Sequence, residues 1–164
     1  MDSIFPQTET NNTINEPDPQ LLAQLKSGAN WFYWIAGLSL VNSAIFAFGG
    51  QVSFILGLAV TQVIDAISDT AIAAGVPSAL KAVAVVIDLV ITAMFALFGY
   101  YAGKGLMWPF IVGIVFYILD GLVYLAVGDM FAAGFHAFAL FFIIRGFLAG
   151  RKLKQFSIPA AQAI

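Results

Sequence analysis

Long apolar runs, separated by short breaks, make up most of the chain after residue 30. Four of these runs come close to the ~20 residues with which a helix crosses a ~30 Å hydrocarbon core. They cover residues 31–49, 81–102, 107–127 and 130–149. Glycine, which favours helix ends, stands in the breaks at positions 49, 50, 75, 103, 105 and 128. The pattern predicts an all-α fold, an integral membrane helical bundle.

A fifth run, residues 51–75, supports two interpretations. Its uninterrupted apolar part, from about residue 53 to 64, is only long enough for a re-entrant or surface helix. Counted through to Gly75, it forms a full-length helix with Gln62, Asp65 and Asp69 along one stripe. Such a helix spans if the stripe faces other helices. The second interpretation is favoured, so we expect four or five transmembrane helices.

The residues outside these runs predict tails and one further helix. The first residues are rich in Asn, Thr, Glu and Pro, which is typical of disorder. Asp18 and Pro19 fit the N-cap and first position of a short helix at the membrane surface. The chain thus divides into a disordered acidic tail (1–17), an interfacial helix (18–30), the transmembrane bundle (31–150) and a basic tail (151–164).

Aromatic and basic residues near the helix ends predict the orientation in the membrane. Trp is enriched at membrane interfaces, and Lys and Arg are enriched on the cytoplasmic side. The basic residues after the last run place the C-terminus in the cytoplasm, the Lys104 loop inside and the Asp129 loop outside. Five spans place the N-terminus outside, and four place it inside. The predicted interfacial anchors are Trp31, Trp34, Trp108, Arg145, Arg151 and Lys152.

Composition supports the membrane class and narrows the chemistry. Hydrophobic residues make up 61% of the chain and charged residues 10%, with a mean hydropathy of +0.93. Soluble domains are roughly half apolar and about a quarter charged. The absence of Cys excludes thiolate metal sites and cysteine nucleophiles, and a single His excludes paired-histidine motifs. The chain has no basic face, so it is not expected to bind nucleic acid. Its apolar runs make the lipid bilayer its expected partner.

Four ionisable residues inside the apolar runs are predicted to share one layer: Asp65, Asp88, Asp120 and His136. In an antiparallel hairpin, two residues lie at equal depth when the mean of their numbers falls on the connecting loop. For each successive pair of these residues, that mean falls on a predicted break. Asp69, one turn from Asp65, is a candidate fifth member. Because charged groups are costly at membrane depth, the layer is a functional-site hypothesis.

Such a layer has three explanations. It can hold helices together by hydrogen bonds, bind a proton or a cation, or hold a divalent metal for catalysis. The first is favoured, which predicts a non-enzymatic structural or accessory membrane component. A small proton- or cation-handling transporter or channel is the alternative, and a metal-dependent intramembrane enzyme is the weaker one. No cofactor is predicted. A divalent metal or a monovalent cation is expected only under the transporter or enzyme alternative. So small a bundle also suggests a homo-oligomer or partners in a membrane complex.

Two GxxxG patterns lie at the same predicted end of the bundle. Gly99 and Gly103 form one, and Gly146 and Gly150 form the other. Small residues at this spacing let helix backbones approach closely. The patterns predict close packing between the two helices that carry them.

Two stretches carry a resemblance to known proteins. They are "GANWFYWIAGLSLVNS" at 28–43 and "FHAFALFFIIRGFLAGRKL" at 135–153. Together they resemble a group of small bacterial multi-pass membrane proteins of uncharacterised function. The resemblance implies a location in the bacterial inner membrane, and it brings no catalytic or binding residues.

Overall fold

Five α-helices form the part of the chain that the computed structural model describes, residues 17–48 and 57–156. They are α1 (Pro19–Ala47), α2 (Ala59–Ala73), α3 (Ala79–Gly103), α4 (Trp108–Ala126) and α5 (Met130–Phe156). No strand occurs among these residues, so the predicted all-α class is confirmed. The acidic tail up to residue 16, the break at 49–50 and residues 157–164 of the basic tail lie outside the described residues.

Three helices, α3, α4 and α5, are long and apolar enough to cross a membrane. The loops that bound them fall on the predicted breaks. Gly75, Gly105 and Gly128 adopt φ angles of +99°, +81° and +80°. A side chain is strained in this left-handed region, so glycine is the residue that suits these helix ends.

α1 joins two elements that the sequence separated. It runs without a break from Pro19 to Ala47, so the predicted interfacial helix over 18–30 and the apolar run from residue 31 form one helix. Asp18 caps it as predicted, because its Oδ1 accepts a hydrogen bond from the Gln20 N–H at 2.8 Å. Beyond this cap, buried residues recur every three or four positions across residue 30: Leu25, Gly28, Ala29, Phe32 and Ile35. The same buried face therefore continues through the expected boundary.

α1 lies at the centre of the bundle and runs antiparallel to both α3 and α5. Phe32 contacts Phe98 of α3, and Trp31 stacks on Phe142 of α5. α4 covers the remaining side against α3 and α5. The start of α1, the α3–α4 loop and the end of α5 therefore meet at one end of the bundle. We call it the basic end, since it carries Lys26, Lys104, Arg151, Lys152 and Lys154.

Both GxxxG patterns pack against α1 and not against each other. Gly99 faces the Tyr33 ring, and Gly150 faces Leu25 of α1 as well as Met107. A Cβ placed on Gly146 would lie 2.7 Å from the Cα of Gly28, so these two backbones are in direct contact. Gly103 has only Ala29 nearby, at 3.9 Å. The expected packing of α3 on α5 is wrong because α1 lies between them.

α2 is shorter than the favoured interpretation of residues 51–75. Its 15 residues reach about 22 Å at ~1.5 Å per residue, which is less than a ~30 Å hydrocarbon core. Gly57 and Leu58 before it are buried but not helical. A full-length helix over 51–75 is therefore wrong. α2 begins inside the bundle at Ala59 and runs toward the end opposite the basic end.

The core of the bundle has two halves along its axis. Toward the basic end it is aromatic, with Phe32, Phe95, Phe98 and Phe110 in contact with one another. Around α2 it is polar, and this polar half contains Ser39, Asn42, Ser43, Thr61, Asp65, Ser68, Asp88, Thr92, Asp120 and His136. The four residues of the predicted layer, Asp65, Asp88, Asp120 and His136, all lie in this polar half.

Candidate functional site

The four residues of the predicted layer are all buried, and the structure arranges them as two pairs. Asp120 of α4 contacts His136 of α5, and Asp65 of α2 contacts Asp88 of α3. Asp120 also bonds to the backbone at Val60, five residues before Asp65, which corresponds to a rise of about 7.5 Å along α2. The predicted single layer is therefore two neighbouring pairs, both attached to α2.

Asp120 holds the first turn of α2. Its Oδ2 accepts a hydrogen bond from the Ala59 N–H at 2.8 Å, and its Oδ1 accepts one from the Val60 N–H at 2.9 Å. The first N–H groups of a helix have no partner within the helix. Leu58, at the N-cap position of α2, has no side-chain acceptor to offer them. A carboxyl from another helix therefore takes the role of the N-cap residue.

His136 completes this contact, and we call Asp120 and His136 the α2 clamp. The Nδ1 atom of His136 lies 2.9 Å from the Ala132 carbonyl oxygen, which can only accept, so Nδ1 carries a proton. Nε2 lies 2.9 Å from Asp120 Oδ2, and one proton is shared across that contact. The Tyr117 ring stacks on the imidazole with centroids 4.3 Å apart. Both carboxyl oxygens and both ring nitrogens of the clamp therefore have partners.

Side chains from α1 and α4 bind the backbone that precedes α2. Ser39 Oγ accepts a hydrogen bond from the Leu58 N–H at 3.0 Å. The Tyr124 hydroxyl donates to the Gly57 carbonyl at 3.2 Å and accepts from the Gln62 side-chain amide at 2.7 Å. Irregular backbone is tolerated at membrane depth only where protein groups satisfy it. These contacts meet that condition for the buried start of α2.

Asp65 and Asp88, which we call the acidic pair, are bonded less completely. The two side chains are in contact, and two buried carboxyls side by side favour a shared proton because ionising both is costly. Ser43 Oγ of α1 donates to Asp88 Oδ2 at 3.1 Å. The Oδ1 atom of each aspartate has no partner among the described residues. Asp88 is 0% exposed and Asp65 is 9% exposed.

Two buried hydroxyls extend the acidic pair along the bundle axis. Ser68 lies one turn after Asp65, and Thr92 lies one turn after Asp88, on the same buried helix faces. Their hydroxyl oxygens also lack a partner within residues 17–48 and 57–156. Because α2 and α3 are antiparallel, the two hydroxyls lie on opposite sides of the pair. Together with Ser43 and the acidic pair, they form a row of oxygen-bearing side chains from three helices.

Two charged residues act on the acidic pair from the end opposite the basic end. Lys81, in the first turn of α3, attracts the Asp65 carboxyl, and Asp69 repels it. The Lys81 ammonium lies 4.4 Å from the centroid of the Phe46 ring. Asp69 is exposed, so it is not a member of the buried pair. Charged side chains therefore act on the pair from one side, and the aromatic half lies on the other.

The side chains identified at the acidic pair, those of Asp65, Asp88, Ser43, Ser68 and Thr92, all present oxygen atoms. Within the described ranges, no group of three or more His, Asp or Glu side chains is arranged to hold a metal ion. Carboxyl and hydroxyl oxygens are hard donors, which suit protons, alkali cations and hydrated divalent cations better than zinc or copper.

The chain was compared with family models, curated proteins and solved structures. None of the three comparisons found a match. A function for the protein must therefore be argued from its contacts.

The predicted interfacial anchors differ in their surroundings. Trp34 and Trp108 are 65% and 50% exposed, and Arg145, Arg151 and Lys152 are exposed as well. Trp31 is half-buried instead, because its ring stacks on Phe142 with centroids 5.1 Å apart. Trp31 therefore belongs to the α1–α5 contact.

Several residues of the site were not among the sequence candidates. Ser39 and Ser43 lie in an apolar run and bind the α2 backbone and Asp88, respectively. Their spacing of four residues, with Asn42 between them, puts them on one helix face and was an available signal. Tyr124 gave no such signal, since an aromatic residue near a helix end is typical of the membrane interface.

Proposed function

We propose that the protein is a small multi-pass membrane protein that binds and moves a proton or a monovalent cation at the acidic pair. The observation that carries this proposal is the pair of unpartnered Oδ1 atoms on Asp65 and Asp88. Buried polar groups without partners are costly, and ionisable residues inside membrane bundles mark ion and proton pathways. Two carboxyls that share one proton can also exchange it for a cation.

Helix packing supports four spans. α1 is 29 residues long and lies between α3 and α5, so it crosses the bilayer with them, whereas α2 is a half-helix within the bundle. The start of α1 and the end of α5 then share one side, and the positive charge of the basic end favours the cytoplasm for that side. Large apolar side chains on the bundle surface, such as Val90 at 65% exposed, are consistent with lipid contact. The resemblance to bacterial proteins favours the inner membrane.

Access to the acidic pair favours a carrier over an open channel. Asp69 and Lys81 provide charge on the non-cytoplasmic side of the pair. Toward the cytoplasm, the aromatic contacts of Phe32, Phe95 and Phe98 fill the core. A proton or cation that enters from outside would have to wait for a rearrangement before leaving inside, which is the behaviour of alternating access.

A second candidate function is that of a structural or accessory membrane component. The α2 clamp favours it, because Asp120 and His136 are fully bonded and hold three helices together. In this case the interior contributes to architecture and a partner protein carries out the transport. The two candidates differ in whether the purified chain alone moves ions.

Flux through purified protein in proteoliposomes tests the proposal. An imposed proton or sodium gradient should dissipate faster than in empty vesicles, and Asp88→Asn should reduce that flux to background while folding normally. Asp69→Asn is the comparison variant, because this exposed carboxyl acts on Asp65 only through its charge and should change flux far less than Asp88→Asn. Flux equal to that of empty vesicles would leave the accessory role. Unchanged flux in Asp88→Asn would reject the acidic pair as the site.

A further inference from the structure

A groove between α1 and α5 near the basic end contains a cationic side chain. Its volume is about 220 Å³, and it borders neither the acidic pair nor the α2 clamp. Ala23, Gln24 and Ser27 of α1 line one wall, and Phe142 and Arg145 of α5 line the other. The groove thus combines one cation, two neutral polar side chains and one aromatic ring.

The groove exists because α1 and α5 touch beside it. The Cα of Gly146 would lie 2.7 Å from a Cβ on Gly28, so no larger residue fits at this crossing. Ala23 and Ser27, which are also small, leave space next to the crossing. Phe142 is held in place by its stacking on Trp31, with an interplanar angle of 18°. The groove is therefore a fixed feature of the helix contact.

The surroundings of Arg145 favour the binding of an anion. It is exposed and lies six residues before Arg151, about 9 Å closer to the middle of the bundle. Its exposed neighbours on α5, Phe141, Ile144 and Leu148, are apolar. At the basic end of the described chain, the one carboxyl is that of Asp18, which caps α1. A guanidinium on a lipid-facing surface is stabilised when it reaches a headgroup.

We propose that this groove binds the phosphate of an anionic glycerophospholipid from the leaflet at the basic end. Arg145 can offer two parallel N–H donors to phosphate oxygens, and Ser27 and Gln24 add neutral donors in the same groove. Lys152 lies seven residues after Arg145 on the same face of α5, and adds positive charge about 10 Å nearer the end of the helix. The apolar side chains beside Arg145 then contact the acyl chains. This site is independent of ion movement at the acidic pair.

Lipid retention measured by native mass spectrometry tests the site. Protein purified in detergent is mixed with equal amounts of phosphatidylglycerol and phosphatidylcholine. The wild-type chain should retain the anionic lipid preferentially, and Arg145→Gln should weaken that retention about tenfold, because it loses charge-assisted hydrogen bonds. Arg145→Lys should fall between the two, since it keeps the charge but not the planar fork. Equal retention of phosphatidylglycerol by Arg145→Gln and wild type would overturn the proposal.

Three further arms of the experiment separate the effects of shape, charge and ligand source. Ser27→Leu fills the groove without changing the charge, and it should also lose the lipid. Lys104→Gln is the matched control at the same end, because the Lys104 ammonium already donates to the Tyr100 hydroxyl at 2.6 Å, and its retention should equal that of wild type. Inorganic phosphate should not displace the lipid at millimolar concentration. Full displacement, or unchanged retention in Ser27→Leu, would contradict a phospholipid in this groove.

Discussion

The α2 clamp and the acidic pair lie on the same short helix and differ in how completely they are hydrogen-bonded. The two oxygens of Asp120 accept two backbone N–H groups and contact His136, which is bonded at both ring nitrogens. Asp65 and Asp88 each keep one oxygen without a partner in the described part of the chain. Both pairs are buried, so burial alone does not distinguish them. The Oδ1 atoms without a partner are the feature on which the proposed ion site rests.

The largest effect is expected from breaking the clamp. Asp120→Asn replaces one acceptor with an amide donor that faces the α2 N–H groups and His136. Breaking a buried, bonded pair lowers the free energy of unfolding by about 3–5 kcal/mol. Denaturant titration of the purified protein in micelles measures this loss, with Asp69→Asn as the unaffected control. A variant as stable as wild type would show that the clamp does not hold α2.

A smaller effect, with a different pH dependence, is expected from the acidic pair. The Asn side chain in Asp65→Asn donates to Asp88 without needing a proton, so stability at neutral pH should stay within about 1 kcal/mol of wild type or rise. The wild-type pair holds a proton that the unfolded chain releases, so wild-type stability should fall as the pH rises. Denaturant titrations between pH 5 and 9 should show this slope in wild type and a reduced slope in Asp65→Asn. Identical slopes would mean that the pair does not share a proton.

Two serines on α1 allow a matched test of the same contrast. Ser39→Ala leaves the buried Leu58 N–H without its acceptor and should lower stability by about 1–2 kcal/mol. Ser43→Ala removes one donor from Asp88, which keeps its contact with Asp65, and should lower stability by less than about 1 kcal/mol. The second variant should instead alter the response to protons or cations in the flux assay. Reversed stability effects would contradict the assignment of Ser39 to structure and Ser43 to the site.

The smallest effect is expected from Lys81→Gln. Lys81 attracts the Asp65 carboxyl from the first turn of α3 but does not bond to it directly. Its loss should change stability by no more than about 0.5 kcal/mol, as is usual for residues outside the core. Flux should become less sensitive to ionic strength, since Lys81 acts through its electric field. Loss of all flux would place Lys81 inside the transport pathway.

The sequence predicted those parts of the fold that depend on local signals. Helix lengths and glycines located the loops at Gly75, Gly105 and Gly128. The depth argument placed Asp65, Asp88, Asp120 and His136 in one layer, and the structure brings Asp65 to Asp88 and Asp120 to His136, because neighbouring antiparallel helices have a simple register. It did not separate the two pairs. Residues at equal depth can lie on different sides of the bundle, so depth alone does not determine which side chains are in contact.

The sequence failed where partners lie far apart along the chain. The start of α2 is fixed by Asp120, which follows Ala59 by 61 residues, so no local N-cap signal marks Ala59 as a helix start. The predicted boundary at residue 30 failed for a related reason, because α3 and α5 cover α1 on both sides of that position. The unpartnered oxygens of the acidic pair are likewise a property of the assembled helices.

The remote cap on α2 has a consequence for biosynthesis. A ribosome adds about 5–20 residues per second, so the 61 residues between Ala59 and Asp120 take roughly 3–12 seconds to make. During that interval the first N–H groups of α2 lack their final acceptor and must rely on water or on the insertion machinery. α2 therefore acquires its final N-terminal acceptor only after the Asp120 segment of α4 has been made.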